Sequence, residues 1–257
     1  MSFKIEVRFL GGLNAEQKNA FQMAADRWSS VIVADIPSVI IDNEEIDDLL
    51  ILAKGTAIDK DNGILGQAGP TKLRPKAAGV HAYLPAMGEM TFDSHDLLEL
   101  EREGSLLEVI THEMAHVLGF GTIWARKRLL VGATSSNPTF SGKHAKAEYG
   151  KLLSTRPKSV PVENVGGPGT RNSHWRESVF ANELMSGFIT SAGNPLSRLT
   201  VASLADLGYV VDLSAADAYQ LPKPSSVAGI RPGRSGLLAR RRMLSSIPSV
   251  LPDQALV

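Results

Sequence analysis

Residues 112–119, with the sequence HEMAHVLG, constrain the fold of this chain more than any other stretch. Apolar residues recur at helical spacing from 106 to 118, which predicts a helix through this octapeptide. Ser105 and Glu108 have the spacing of a capping box at its start, and Gly119 stands where such a helix would end. We therefore expect the octapeptide to form the last turns of a half-buried helix.

The histidines and the glutamate of this octapeptide have the H-E-x-x-H spacing, which predicts a zinc site. On a helix, His112 and His116 lie on one face with Cβ atoms about 5 to 6 Å apart, so their imidazoles can share a metal ion. Glu113 lies on the same helix and can act as a general base without binding the metal. The alternative is that both histidines are ordinary polar residues of a half-buried helix. A catalytic zinc also needs three protein ligands and an open position for water, so a third ligand must come from elsewhere.

The composition restricts the class of protein and the kind of metal site. With 257 residues, 43% hydrophobic and 21% charged, the chain can bury a substantial core, which excludes a disordered or fibrous protein. Because cysteine is absent, the ligands must be His, Asp or Glu. Residues 222–257 hold six basic residues against one acidic residue, whereas residues 1–221 hold 21 basic and 26 acidic residues. Nothing in this balance indicates a nucleic-acid partner.

The ends of the chain and its hydropathy suggest a soluble protein. Residues 1–8 lack the apolar core of a signal peptide, and no apolar run of 18 residues could form a transmembrane segment. We expect a soluble monomer, either cytoplasmic or exported by a signal-independent route.

Strand and helix patterns alternate before the octapeptide, which predicts an α+β fold with a mixed, mostly parallel, twisted sheet. Asn14 and Gln17 resemble a capping pair at the start of the first helix. After residue 121 the chain becomes rich in Gly, Pro, Ser and Lys, and beyond 221 we expect a mobile, basic tail. Strands are predicted at 5–9, 49–53, 79–84 and 89–92, helices at 15–32 and 143–153, and a short helix ending at Gly208 followed by a strand-like segment at 209–211.

Four histidines remain as candidates for the third ligand, and His174 is the best of them. In the compact pattern H-E-x-x-H-x-x-G-x-x-H, the third histidine would be residue 122, which here is Thr122. Gly119 keeps its place in that pattern, so the chain can turn there and return a ligand after an insertion. Standing alone, His174 beside Trp175 would be interpreted as a surface histidine packed on an indole.

The other candidates have simpler interpretations. His144 lies in a lysine-bearing segment that we expect to be exposed. His95, with Asp93 and Asp96, is expected to belong to a turn and a helix cap. His81 is the remaining histidine. Two further polar groups have similarly simple interpretations: Asp59, Asp61 and Asn62 could bind calcium but fit an acidic turn, and Arg240 to Arg242 fit a solvated tail or a contact with an acidic partner.

Several stretches together resemble the leishmanolysin-type metzincin peptidases. They are the octapeptide with the following Phe-Gly, residues 173–177 (SHWRE) and residues 182–185 (NELM), supported by residues 88–97 and by 199–221, which is similar to the end of the catalytic domain in bacterial relatives. The resemblance implies that His112, His116 and His174 bind one zinc ion. It also implies that Glu113 is the general base and that Met185 forms an apolar floor under the metal, although a buried methionine is usually core filler.

The resemblance implies a zinc-dependent metalloendopeptidase that hydrolyses peptide bonds through a zinc-activated water. Its zincin-like catalytic domain would comprise residues 1–121, with the sheet and the motif helix, and a smaller C-terminal subdomain at 122–221, with the third ligand and the Met-turn, before the tail at 222–257. The chain departs from the family in having no cysteine for a cysteine switch. It also has Gly187 where some metzincins place a tyrosine that stabilises the transition state.

Two alternatives to an endopeptidase stay open. The same zinc chemistry could act on a small amide or a cell-wall peptide. A non-catalytic metal-binding module is the other alternative, but a purely structural zinc site needs no base and closes its fourth position, which disfavours it in the presence of Glu113.

Overall fold

The structure is a computed structural model that describes residues 2–58, 65–167, 169–187, 189, 193–222 and 247–257. The turn proposed for calcium at Asp59, Asp61 and Asn62 and the arginine triplet at 240–242 lie outside these residues. In chain order the elements are β1 (Ile5–Phe9), α1 (Ala15–Val31), β2 (Val39–Ile41), β3 (Glu44–Ile46), β4 (Leu49–Thr56), β5 (Gly66–Leu73), β6 (Pro85–Asp93), α2 (Ser94–Glu103), α3 (Leu106–Val117), β7 (Leu130–Val131), β8 (Thr139–Phe140), α4 (Lys143–Leu153), β9 (Val160–Pro161), α5 (Glu177–Phe180), α6 (Arg198–Leu207) and β10 (Ser249–Val250).

The main sheet has five strands in the order β1-β4-β6-β5-β10. All neighbouring pairs are parallel except β5 with β6, which is antiparallel. The prediction of a mixed, mostly parallel sheet is therefore confirmed. Residues 39–46 form the separate β2-β3 hairpin, and β7, β8 and β9 form a small antiparallel sheet after the octapeptide.

Helices α1 and α3 pack against each other in the main core. The buried Trp28 of α1 donates a hydrogen bond from Nε1 to the carbonyl oxygen of Thr111 in α3, at 2.9 Å. The capping box predicted for α1 is confirmed, because Asn14 accepts from the Gln17 backbone and Gln17 accepts from the Asn14 backbone. Helix α3 is thus held in place by α1, whose N-terminus is fixed by its own capping box.

The predicted capping box of α3 is wrong. Ser105 makes no side-chain cap hydrogen bond, because its backbone is already near the helical region at φ −101° and ψ −1°, whereas a capping residue is usually extended. Gly104 ends α2 in a left-handed conformation just before it, so the two helices follow each other directly. Glu108 instead accepts a hydrogen bond from the side chain of Asn194.

The strand predictions are correct at three places and wrong at one. The strands at 5–9, 49–53 and 89–92 correspond to β1, β4 and β6. Residues 79–84 form a 3-10 turn and a bend instead, because Gly79 and Tyr83 have φ of 65° and 67°. The helix prediction for 143–153 is confirmed as α4, and Gly208 ends α6 as expected, while Val211 makes only an isolated bridge to Ile32.

Residues 247–257 differ from the mobile tail expected beyond 221. The strand β10 pairs with the end of β5, and the Leu251 amide donates to the Leu73 carbonyl at 2.9 Å. Leu251 and Leu256 pack on a small apolar cluster that includes Val39 and Leu50. The apolar side chains explain why residues 247–257, which include no Lys or Arg, lie against the sheet. The basic part of the predicted tail, at 223–242, lies outside the described residues. Among the helices of the described residues, none has the length and apolar character needed to cross a membrane.

Candidate metal centre

Helix α3 brings His112, Glu113 and His116 together in the interior. All three side chains are buried. The Nε2 atoms of His112 and His116 lie 3.2 Å apart, as expected for imidazoles four residues apart on one helix face. The alternative in which these histidines lie on a half-exposed helix surface does not agree with this burial.

The end of α3 orients His116. Gly119, at φ 107°, adopts the left-handed conformation, so its amide donates to the His116 carbonyl and the Phe120 amide donates to the Ala115 carbonyl. This pair of bonds is a Schellman motif, and it turns the chain back over the last helical turn. The carbonyl of Phe120 then lies 2.9 Å from Nδ1 of His116 and accepts its hydrogen bond. The predicted helix end at Gly119 is confirmed.

Thr122, at the position of the third histidine in the compact pattern, has a different partner. Its hydroxyl donates to the carbonyl oxygen of His116 at 2.8 Å and so adds a second donor to a carbonyl that already accepts from the Gly119 amide.

His174 reaches α3 from a separate segment, and it is only 3% exposed. Its Nε2 atom lies 3.0 Å from the Nε2 atoms of both His112 and His116. The approach depends on Gly121, because a Cβ there would lie 2.2 Å from the carbonyl oxygen of Ser173. The interpretation of His174 as a surface histidine is therefore wrong.

Each of the three imidazoles has its other ring nitrogen at a backbone carbonyl. Nδ1 of His112 lies 2.6 Å from the Leu184 oxygen, and Nδ1 of His174 lies 3.0 Å from the Thr170 oxygen. Together with the bond from His116 to Phe120, these contacts place a proton on every Nδ1, because a carbonyl can only accept. In the neutral tautomers, all three Nε2 lone pairs consequently point at one common volume.

This donor set fits a zinc ion. Three lone pairs that converge within 3.2 Å repel one another unless a cation lies between them. Two nitrogens bound to one tetrahedral zinc at about 2.0 to 2.1 Å are about 3.3 Å apart, close to the observed separations. Zinc-binding histidines also donate their second N–H to a carbonyl or carboxylate, as all three do here. The triad can therefore hold a metal ion.

A tight turn at residues 183–186 adjoins the centre. The Ser186 amide donates to the Glu183 carbonyl at 2.9 Å, and Met185 is fully buried within the turn. Leu184, also in this turn, supplies the carbonyl that orients His112. Gly187 is buried next to Glu163, whose Oε2 would lie 3.3 Å from a Cβ at that position.

The remaining histidines do not join the triad. His144 is exposed at the start of α4, and its amide donates to Asp206. His95 is exposed on α2, whose N-terminus is capped by Asp93 as the sequence predicts. His81 lies at the end of the 3-10 turn, where burial lowers the pKa of its imidazole.

Sequence reasoning missed the groups that orient the histidines. They are backbone carbonyls, two of them four residues from their histidine and the third, of Leu184, brought to His112 by the tertiary fold. No side-chain pattern indicates which carbonyl an imidazole will contact. Sequence reasoning also passed over Glu183, a fully buried carboxylate one residue before Leu184. Its position two residues before Met185 was visible in the sequence, but a glutamate there is equally typical of an exposed turn.

Comparison with known proteins shows the family to which this chain is similar. The sequence model of the leishmanolysin family matches residues 77–228, which include all three histidines. The leishmanolysin homolog of Crithidia fasciculata is 29% identical over 137 residues, covering 49% of this chain and 20% of that protein. Leishmanolysin of Leishmania donovani is 28% identical over 145 residues, covering 52% and 24%. The ciliated left-right organizer metallopeptidase of Xenopus laevis is 25% identical over 144 residues, covering 49% and 20%.

These alignments extend over only 20% to 24% of the relatives' length. The family match nevertheless covers more than half of this chain and includes α3, the turn at 183–186 and α6. On the strength of that match, the chain belongs to the leishmanolysin family of zinc metallopeptidases.

Proposed function

We propose that this chain is a zinc-dependent metalloendopeptidase in which His112, His116 and His174 hold the metal and Glu113 is the general base. The observation that carries the proposal is the convergence of three buried Nε2 atoms within 3.2 Å, beside a buried glutamate on the same helix. A purely structural zinc site would normally have a fourth protein ligand, and in the described residues the triad is a group of three histidines.

Zinc bound at the triad would supply Lewis acidity and lower the pKa of a water molecule to about 7. Glu113 follows His112 directly, so its carboxylate can accept the proton of the attacking water. It then returns that proton to the leaving amine of the cleaved peptide. The three carbonyl partners hold the proton of each neutral imidazole on Nδ1 and fix the orientation of its ring.

We also propose that the chain has a metzincin catalytic domain divided at the end of α3. Residues 1–121 would form the subdomain with the sheet and α3, and residues 122–221 the smaller one with His174 and a Met-turn. Met185 would then form the apolar floor under the metal. The burial of Met185 in the turn that orients His112 supports this assignment.

A casein-cleavage assay with Glu113→Gln tests the mechanism. The variant removes the base but leaves the triad, so we expect one zinc per chain and a fall in turnover of about 10²- to 10⁴-fold. Chelation of the wild-type chain should abolish cleavage, and added Zn²⁺ should restore it.

Two outcomes would change the proposal. Full turnover in Glu113→Gln would exclude Glu113 as the base. Chelator-sensitive hydrolysis of small amides or cell-wall peptides, with casein left intact, would keep the zinc chemistry but replace the endopeptidase by the second enzyme class.

A further inference from the structure

Glu183 is a fully buried carboxylate surrounded by neutral hydrogen-bond donors. Its Oε2 accepts from the Met185 amide at 2.6 Å. Its Oε1 accepts from the Ser197 amide at 3.1 Å, from the Ser197 hydroxyl at 2.6 Å and from the Thr200 hydroxyl at 2.5 Å. A buried carboxylate would be strongly disfavoured without such partners, so these four bonds explain how it is tolerated.

The directions of these bonds can be assigned from chemistry. The indole Nε1 of Trp175 lies 2.8 Å from the Thr200 hydroxyl oxygen and can only donate, so the Thr200 proton must point to Glu183. The Ser197 hydroxyl similarly accepts from the Thr200 amide at 3.3 Å. All four groups around Glu183 are therefore donors, which is the environment of an ionised carboxylate. Burial raises the pKa of Glu183, and the four donors oppose that shift.

These bonds link Glu183 to two of the three histidines. On one side, Glu183 holds the Met185 amide, and the preceding carbonyl, of Leu184, orients His112. On the other side, Glu183 holds Thr200, which binds the indole of Trp175, the residue after His174.

The same bonds close a ring. The Trp175 amide donates to the Met185 carbonyl at 2.9 Å, which connects the segment of His174 directly to the turn at 183–186. Within this ring, the carboxylate of Glu183 joins the turn to α6, where Thr200 lies. Loss of its acceptor oxygens would therefore release both the carbonyl at His112 and the backbone beside His174.

We propose that Glu183 is the positioning residue of the metal centre, whose ionised carboxylate holds the turn at 183–186, α6 and Trp175 in the arrangement that aligns His112 and His174. This inference rests on the proposed zinc function of the triad. Glu183 acts on the triad indirectly, through Leu184 and Trp175. Its loss should therefore weaken metal binding without removing a ligand.

The matched test compares Glu183→Gln with Asp48→Asn. Both changes replace a buried carboxylate by its amide. Asp48 accepts from the backbone amides of Lys4 and Ile36, at 2.7 and 2.9 Å, and these bonds lie away from the triad. In Glu183→Gln the new NH₂ group must face a donor whichever way the amide turns. A second variant, Thr200→Val, keeps the side-chain shape but removes the link between Glu183 and Trp175.

The measurement is the Zn²⁺ dissociation constant of the full chain by competition with a chelator, together with thermal unfolding of the metal-free forms. Loss of a group that orients metal ligands typically weakens binding about 10- to 100-fold, and we expect this for Glu183→Gln. Thr200→Val should shift the constant in the same direction by a smaller factor. Asp48→Asn should lower the unfolding temperature but leave the dissociation constant unchanged.

Each other outcome contradicts the inference. Unchanged zinc binding in Glu183→Gln would overturn it, as would equal weakening in Asp48→Asn at a similar loss of stability. If Glu183→Gln does not fold, the test rests on Thr200→Val. A Zn²⁺ dissociation constant equal to that of the wild-type chain in this variant would contradict the positioning role of Glu183. A folded wild-type chain that binds no zinc would instead refute the proposed function, and the positioning role with it.

Discussion

Helix α3 and the segment from Thr170 to Arg176 contribute to the same cluster of imidazoles in different ways. In α3, the regular spacing of the backbone puts His112 and His116 side by side. The segment that carries His174 has no regular element and makes only isolated bridges, from Trp175 to Val162 and Ser186. Its position depends on contacts with residues that are distant in sequence.

The difference shows which part of a metal site is local and which is tertiary. The two helical histidines need only a stable helix, which the packing of α1 on α3 provides. His174 needs Gly121 for a close approach, the turn at 183–186 for its neighbour Trp175, and an aromatic cluster that buries the indole. In that cluster, the ring centroid of Trp175 lies 5.1 Å from those of Phe120 and Trp124.

The largest expected effect is removal of one ligand from each region. We expect His116→Ala and His174→Ala each to weaken Zn²⁺ binding by more than about 100-fold, because a lost ligand should cost more than a lost orienting group. Competition with a chelator measures the affinity, and circular dichroism checks that α3 persists.

His144→Ala is the control for these two variants, since His144 is exposed and outside the triad. It should bind zinc like the wild-type chain. Retention of full affinity by His174→Ala would mean that the third ligand lies elsewhere, and the comparison between a local and a tertiary contribution would no longer hold.

A smaller effect is expected when the contact between the two regions is obstructed. In Gly121→Ala the new Cβ would overlap the Ser173 backbone, and φ of 75° is unfavourable for alanine, so we expect a loss of about 3 kcal/mol in the free energy of unfolding, with weaker zinc binding. Denaturant unfolding and chelator competition measure the two effects.

Gly104→Ala is the matched control for this variant. Gly104 has a similar φ of 71°, but among the described residues no heavy atom beyond Gly104 and its two chain neighbours lies within 4 Å of the position that a Cβ would take there. It should lose only about 1 to 2 kcal/mol and keep its zinc affinity. Equal effects of the two variants on zinc binding would show that the close approach at Gly121 does not determine the position of His174.

The smallest effect concerns the end of α3. Thr122→Val removes the hydroxyl that donates to the His116 carbonyl, so we expect a loss of about 1 kcal/mol in the free energy of unfolding. Zinc affinity should stay unchanged, because His116 is oriented through its Nδ1 bond to Phe120. A marked loss of zinc binding would instead indicate that Thr122 contributes to the metal centre.

The fold was predictable where the local sequence has a strong helix or strand pattern. It was not predictable where a segment becomes a strand only by pairing with a distant strand. The strand β1 follows from its alternation of apolar and polar residues, and α1 follows from apolar periodicity and its capping pair. The strand β5 escaped prediction because its sequence, GQAGPTKL, has little intrinsic strand preference and forms a strand through pairing with β6. Residues 79–84 had a strand-like pattern, but positive φ at Gly79 and Tyr83 bends the chain there.

The sequence by itself determined α3, the pair His112 and His116, and the presence of Glu113 between them, because helical spacing is a local property of the backbone. It also indicated His174 through resemblance to a family. Only the tertiary structure decided that His174 lies 3.0 Å from both helical histidines and that the Leu184 carbonyl orients His112. Such contacts join segments more than fifty residues apart, and their formation depends on the packing of the whole chain.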